Sequence, residues 1–222
     1  MQRFASLPRY TLEVGECGID AIPDTRLREL ARYWLARCGS DAEGRRLVPE
    51  RGAIEPRDLS KLLPNLMLLE RVATPDAHRD AAAAKLGEVP EHLYRFRLAG
   101  TEATWYAGRE LTGRFLYEVL PDHYLQYVRL LNRLAREEKL PVYSISLYHD
   151  QGNIVNGITY RLVLPLRAKA GEADPDIILA CQFWRHREHD DSRRTGSSDE
   201  HGGGWWSGDW KSVKPEIRLV VP

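Results

Sequence analysis

The chain has 222 residues, 43% of them hydrophobic, and its 32 Lys and Arg balance 32 Asp and Glu. That length suits one domain with appendages or two small ones, and the apolar content suits a real core. The zero net charge argues against a general nucleic-acid binder and gives no reason to expect attraction to an anionic membrane. No run approaches the roughly 18 apolar residues of a membrane span. Met1 to Tyr10 lack a signal-peptide core. Cys17, Cys38 and Cys181 read as free thiols in a reducing compartment, which makes the cytoplasm the expected location.

Residues 1–23 show no strong period and read as an N-terminal arm. Asp24 is a good N-cap, because its carboxylate can accept from the free amides of a first turn. Leu27, Leu30, Ala31, Trp34, Leu35 and Cys38 then fall on one helical face, and Gly39 is the expected stop. Pro49, Pro56 and Pro64 rule out one long helix over residues 47–64, leaving at most a short turn at Asp58 to Leu63. Residues 24–65 thus form a helix and a proline-rich lead-in.

The apolar run Leu66 to Val72 predicts a first buried strand. After a polar insertion, with a short helix at Ala81 to Leu86, Tyr94 to Leu98 alternates as a second strand. Gly100 and Thr101 end it. Short helices are expected at Glu102 to Ala107 and within Leu111 to Leu120. The longest helix runs from Asp122, its expected cap, to Lys139, with Tyr124, Tyr127, Val128, Leu131, Leu134 and Ala135 as its apolar stripe. Three strands follow, at Val142 to Tyr148, Ile158 to Leu166 and Asp176 to Trp184, with a reversal at Asp150 to Asn153. The first of these sets Tyr143, Ile145 and Leu147 against Ser144 and Ser146. Strands with helices set between them and short connections indicate an α+β fold with an antiparallel sheet.

Residues 66–186 make this domain. Residues 187–222 read as a flexible tail: a polar stretch to Gly204, then Trp205, Trp206 and Trp210, then the apolar Ile217 to Val221, which has the composition to dock on the domain or on a partner.

This order resembles a PAS domain: a five-stranded antiparallel sheet, short helices and one long connecting helix, here with an N-terminal helix added. The run Val48-Pro49-Glu50-Arg51-Gly52-Ala53-Ile54-Glu55-Pro56, backed by Leu59, Leu62, Leu63 and Pro64, is similar to the lead-in of a divergent bacterial PAS family. Tyr94-Arg95-Phe96-Arg97-Leu98-Ala99-Gly100-Thr101, Arg109-Glu110-Leu111-Thr112-Gly113 and Tyr160-Arg161-Leu162-Val163-Leu164-Pro165-Leu166 extend the likeness, from Trp34 to about Trp184. The resemblance implies a stand-alone sensory or regulatory module, not an enzyme, that binds a small molecule or a partner and passes on a shape change; the alternatives are an enzyme on an α+β fold with an unidentified active site, or a structural interaction domain without a ligand. With no output segment recognisable in the chain, the expected partner is an unidentified signalling protein, or a second copy in a homodimer. The cofactor, if any, stays unknown.

The chemistry-bearing residues each carry two readings. Tyr94, Phe96, Trp105, Tyr106, Tyr127, Tyr143 and Tyr160 lie on elements that would surround a PAS cavity and suit a small flat or apolar ligand; equally, they fill a core. His123 could ligate a haem iron or be a surface histidine at a helix start. The three cysteines lie outside the helical region where a flavin-reactive thiol would be needed. His186, His189, Asp190 and Asp191 have metal-compatible spacing or form a solvated charge run. Arg97 and Arg161 could pair with an anionic group or sit on a solvent face. The face of the Asp24 to Cys38 helix must be covered, by the sheet or by a second copy. No phosphate-binding glycine loop and no G-x-S-x-G elbow occurs.

Overall fold

The structure is a computed structural model and describes residues 3–7, 10–149, 155–169, 174–186 and 216–221. In chain order the elements are β1 (Arg3–Leu7), β2 (Tyr10–Gly18), α1 (Thr25–Leu35), the short pair β3 (Gly39–Ser40) and β4 (Arg46–Leu47), β5 (Leu66–Ala73), α2 (Arg79–Leu86), β6 (His92–Ala99), α3 (Thr101–Ala107), α4 (Leu116–Val119), α5 (Asp122–Glu138), β7 (Val142–His149), β8 (Val155–Leu166), β9 (Ile177–His186) and β10 (Glu216–Val221). The reversal at 150–153 lies outside the described residues, as do 187–215 with Trp205, Trp206 and Trp210.

The five expected strands are all present, in the spatial order β7-β8-β9-β5-β6, each antiparallel to its neighbour. Three more extend the sheet to eight. Beyond β7 come β10, β2 and β1. β10 is antiparallel to β7, with Ile217 opposite Ser144, and parallel to β2, with Ile217 opposite Val14. This corrects the reading of residues 1–23 as an irregular arm and of 216–221 as flexible tail. The physical reason is mutual: six apolar-rich residues cannot hold an extended form alone, but between two strands the segment pairs on both sides and Ile217, Leu219 and Val220 are buried.

Asp24 caps α1 as expected. Its buried carboxylate accepts from the amides of Arg26 at 2.9 Å and Leu27 at 3.2 Å. The helix ends at Leu35, before Gly39, because Gly39 is already paired in β3. Leu27, Leu30, Ala31 and Trp34 are all at most 1% exposed against the molecule's own sheet, and Trp34 Nε1 donates to the Pro165 carbonyl at 2.9 Å. The sheet, and not a second copy, covers this apolar face. For α5 the capping expectation fails: Pro121 occupies the N-cap position, and Asp122 is instead the first helical residue, paired with Lys85 at 3.1 Å.

The sheet therefore has two covered faces. The outer face packs Tyr143, Ile145, Tyr160, Leu162, Leu164, Cys181 and Phe183 beneath α1. The inner face lies under α5, α4 and α3. Gly100 fixes α3 in place. Its amide donates to the Leu66 carbonyl at 2.7 Å, and an added Cβ would lie 2.2 Å from the Leu63 carbonyl oxygen, so no larger residue fits this approach.

Candidate functional site

Successive residues of a strand point to opposite faces. With Tyr143, Ile145, Tyr160 and Leu162 committed to α1, the alternate positions of β7 and β8 must face inward. Ser144 sits opposite Arg161, and Ser146 opposite Thr159. On β9, Gln182 is the partner of Arg161 and Ala180 that of Val163. All of these are buried. The inner face is thus polar at its centre, and α5 covers it.

Arg161 is only 3% exposed. Its Nε donates to Gln182 Oε1 at 2.8 Å and its Nη2 donates to the Tyr124 hydroxyl, which also accepts from Gln182 Nε2 at 3.4 Å. The guanidinium carbon lies 5.4 Å from the Tyr124 ring centre and 5.8 Å from that of Tyr127, within cation–π range. No carboxylate among the described residues pairs with it. Arg167 makes the contrast: it is 9% exposed, donates to the Val48 carbonyl at 2.9 Å and has Glu50 at 3.4 Å.

Around Arg161 several polar atoms are buried with no hydrogen-bond partner among the described residues: its own Nη1, Asn132 Nδ2, and the hydroxyls of Tyr127, Ser144 and Ser146. Burial pushes the Tyr127 phenol up. The Arg161 charge and the nearby Ser144 hydroxyl offset part of this, although the two hydroxyls do not close a hydrogen bond. A cavity of about 50 Å³ opens at this spot, lined by Arg161, Asn132, Tyr124 and Gln182 together with Phe96, Met67, Leu116, Val128 and other apolar side chains. A second, open groove of about 380 Å³ runs between β6 and α5, with Arg71, Arg129, Arg133 and Tyr94 in its wall. Burial depresses the Arg129 guanidinium there, while Glu88 acts against it.

The aromatic residues expected around one cavity are divided. Phe96 lines the inner cavity and Tyr127 is buried beside Arg161. Tyr94 lines the open groove. Tyr106 stacks on Trp184 at 4.1 Å, with Trp105 edge-on to it at 4.8 Å, and Trp105 is 60% exposed. Tyr143 and Tyr160 lie on the outer face, separated from the cavity by the sheet. His123 belongs to α5, but its side chain lies outside the described ones, as do those of His186, His189, Asp190 and Asp191. No cluster of three potential metal ligands occurs among the described residues. Arg97 is exposed and pairs with Glu70 at 3.4 Å.

Tyr124, Asn132 and Gln182 were not among the expected site residues. A signal existed: Tyr124, Val128 and Asn132 are four apart and share one helical face, so Asn132 interrupts an apolar stripe. On the strands, Arg161 and Gln182 are polar positions in otherwise buried segments.

A mostly antiparallel sheet with a small cavity on its inner face, covered by short helices and one long helix, defines the class as an α+β domain of the PAS-like kind. A family model described as PAS domain matches residues 23–179, more than two thirds of the chain, and the chain belongs to that family. No curated protein and no solved structure matches it. Strands β1, β2 and β10 lie outside the matched segment. No described helix is long and apolar enough to cross a membrane.

Proposed function

We propose that this PAS domain is a ligand-responsive regulatory module that takes a small molecule between its sheet and α5 and relays its presence through α1. The observation that carries this reading is the small cavity between the sheet and α5, almost wholly apolar at its surface and set beside a cluster around Arg161 and Asn132 whose buried donors no described residue satisfies. Unsatisfied buried donors are expensive in a finished core and useful in a receptor, where a ligand completes them. The relay has a direct physical route. On β8, Arg161 faces the cavity while its neighbours Tyr160 and Leu162 press on the layer beneath α1.

The module acts without catalysis of its own. In support, the buried thiol and phenol groups are displaced away from neutral reactivity: burial pushes Cys38 up to about 11, Tyr94 up to about 12, and Cys181 and Tyr143 upward as well. Its output goes to a partner protein or a second copy, a reading supported by the exposed Leu63, Leu98 and Trp105 around the β6 edge. Three free cysteines support a reducing, cytoplasmic setting.

The test is native mass spectrometry and a thermal-shift screen of a chemically mixed small-molecule library on the full chain. The expected result is at least one compound that binds saturably and is lost in Val128→Trp, which fills the cavity, with altered amide exchange in α1 on binding. If no compound class shifts the melting temperature and the protein purifies with nothing bound, the reading fails.

A further inference from the structure

We infer that the open groove between β6 and α5 is a second site, separate from the inner cavity, that binds a small phosphomonoester through Arg129 and Arg133. The groove and the cavity have only Leu116 in common among their lining residues. Arg129 and Arg133 stand four apart on α5, so their side chains leave one face of the helix one turn apart. Both line the groove, Arg129 half-buried and Arg133 exposed.

The other two arginines of the groove are already answered. Arg71 pairs with Asp176 at 3.1 Å and Arg136 with Glu137 at 3.4 Å. Arg129 and Arg133 have no carboxylate at ion-pair distance among the described residues. Arg129 makes one long contact, from Nη1 to Gln126 Oε1 at 3.4 Å. Two like charges at this spacing repel, and partial burial adds to the cost for Arg129. The groove's own carboxylates, Glu88 and Glu91, are both exposed, so water and salt screen them.

The donors select the ligand. A guanidinium can only donate, so what completes the pair must bring acceptor oxygens. Two unanswered positive charges favour a dianion. A phosphomonoester carries about −1.5 to −2 charge at pH 7 and three acceptor oxygens, enough for both guanidiniums, whereas a carboxylate matches one. His92 adds a donor to the lining. Its Nδ1 lies 2.8 Å from Arg71 Nη2. Arginine cannot accept, so Nδ1 does, and the ring proton sits on Nε2. The organic body has Leu86, Leu93, Leu125 and Leu130 to lie against. A groove of about 380 Å³ is at the small end of ligand sites, which suits a phosphate with one ring or a short chain.

The experiment is isothermal titration of the full chain with phenyl phosphate, against phenyl sulfate as a monoanion of matched shape and inorganic phosphate as the bare anion. Phenyl phosphate should bind saturably, about 10-fold or more tighter than phenyl sulfate and about 3-fold or more tighter than inorganic phosphate. Arg129→Gln should weaken it by about 10-fold. Arg133→Gln changes an exposed side chain, should weaken it by about 5-fold, and serves as the test if Arg129→Gln does not fold. Arg97→Gln, an exposed arginine outside the groove, should change it by less than about 2-fold. The assignment is overturned by phenyl sulfate or inorganic phosphate binding as tightly as phenyl phosphate. It is also overturned by binding that survives both groove substitutions, by an equal loss in Arg97→Gln, or by no saturable binding of phenyl phosphate. Because neither Arg129 nor Arg133 lines the inner cavity, each of these results leaves the reading of that cavity standing.

Discussion

The outer and inner faces of the sheet carry the same number of helical lids in the sense that matters, one amphipathic helix each across β7 and β8, yet their chemistry differs. Under α1 the contacts are apolar, and the polar groups at the rim are placed: Trp34 on the Pro165 carbonyl, Asp24 on the α1 amides, Arg167 on the Val48 carbonyl. The Tyr143 hydroxyl is an exception. Under α5 the centre is polar, and Arg161, Asn132, Tyr127, Ser144 and Ser146 all keep atoms without partners among the described residues. Buried groups of that kind weaken a fold unless something completes them. The difference teaches a division of labour: one face supplies stability, while the other gives some up, and the proposed ligand site lies on that second face.

That contrast breaks most readily at Trp34. Trp34→Ala should cost about 3–5 kcal/mol of unfolding free energy in guanidinium titrations, since it removes a fully buried ring and its hydrogen bond. A loss under about 1 kcal/mol would show that α1 is not what stabilises the outer face. A second effect appears in alkali. Burial raises the phenols of Tyr143 and Tyr94, Tyr94 to about 12, whereas unfolded tyrosines ionise near their ordinary value of about 10. Above about pH 10 the unfolded chain has released protons that the folded one still holds. Stability present below that pH is then lost at about 1.4 kcal/mol per pH unit for each such tyrosine. Tyr143→Phe should flatten the fall in denaturation midpoint between about pH 10 and 11.5 by one tyrosine's share; an unchanged slope would place its hydroxyl in water. The smallest effect belongs to the inner face. Tyr127→Phe removes a hydroxyl with no partner, so it should change stability by less than about 1 kcal/mol, towards greater stability. A loss of about 2 kcal/mol instead would mean that the hydroxyl is hydrogen-bonded in the ligand-free protein.

Much of the fold was legible because periodicity reports covered surfaces. Leu27, Leu30, Ala31 and Trp34 marked α1, Tyr127 and Leu131 marked α5, and the apolar run from Leu66 marked β5. The site was less legible for a reason rooted in the same signal. An alternating strand shows which residues share a face, but not which face meets the cavity. Ser144, Ser146 and Arg161 have the pattern of a solvent side, and Tyr143 and Tyr160 that of an interior. Both are interior here, because α1 covers the apolar set and α5 covers the polar one. For β10 the apolar run Ile217 to Val221 reads as a segment able to dock, but its strand character comes from a seat between β2 and β7 that no local pattern encodes.

That seat also dictates an order of assembly. Val14 and Ile217 lie side by side although about two hundred residues separate them, so the contact closes one of the longest loops the chain offers. β2 touches the rest of the sheet only across β10. The hairpin β1–β2 can form early by itself and has α5 to pack against, but among the described residues its backbone joins the rest of the sheet only once β10 has reached β7. In a folding experiment the central five strands and α5 should therefore gain protection from exchange first, and the amides at the β2–β10 boundary last.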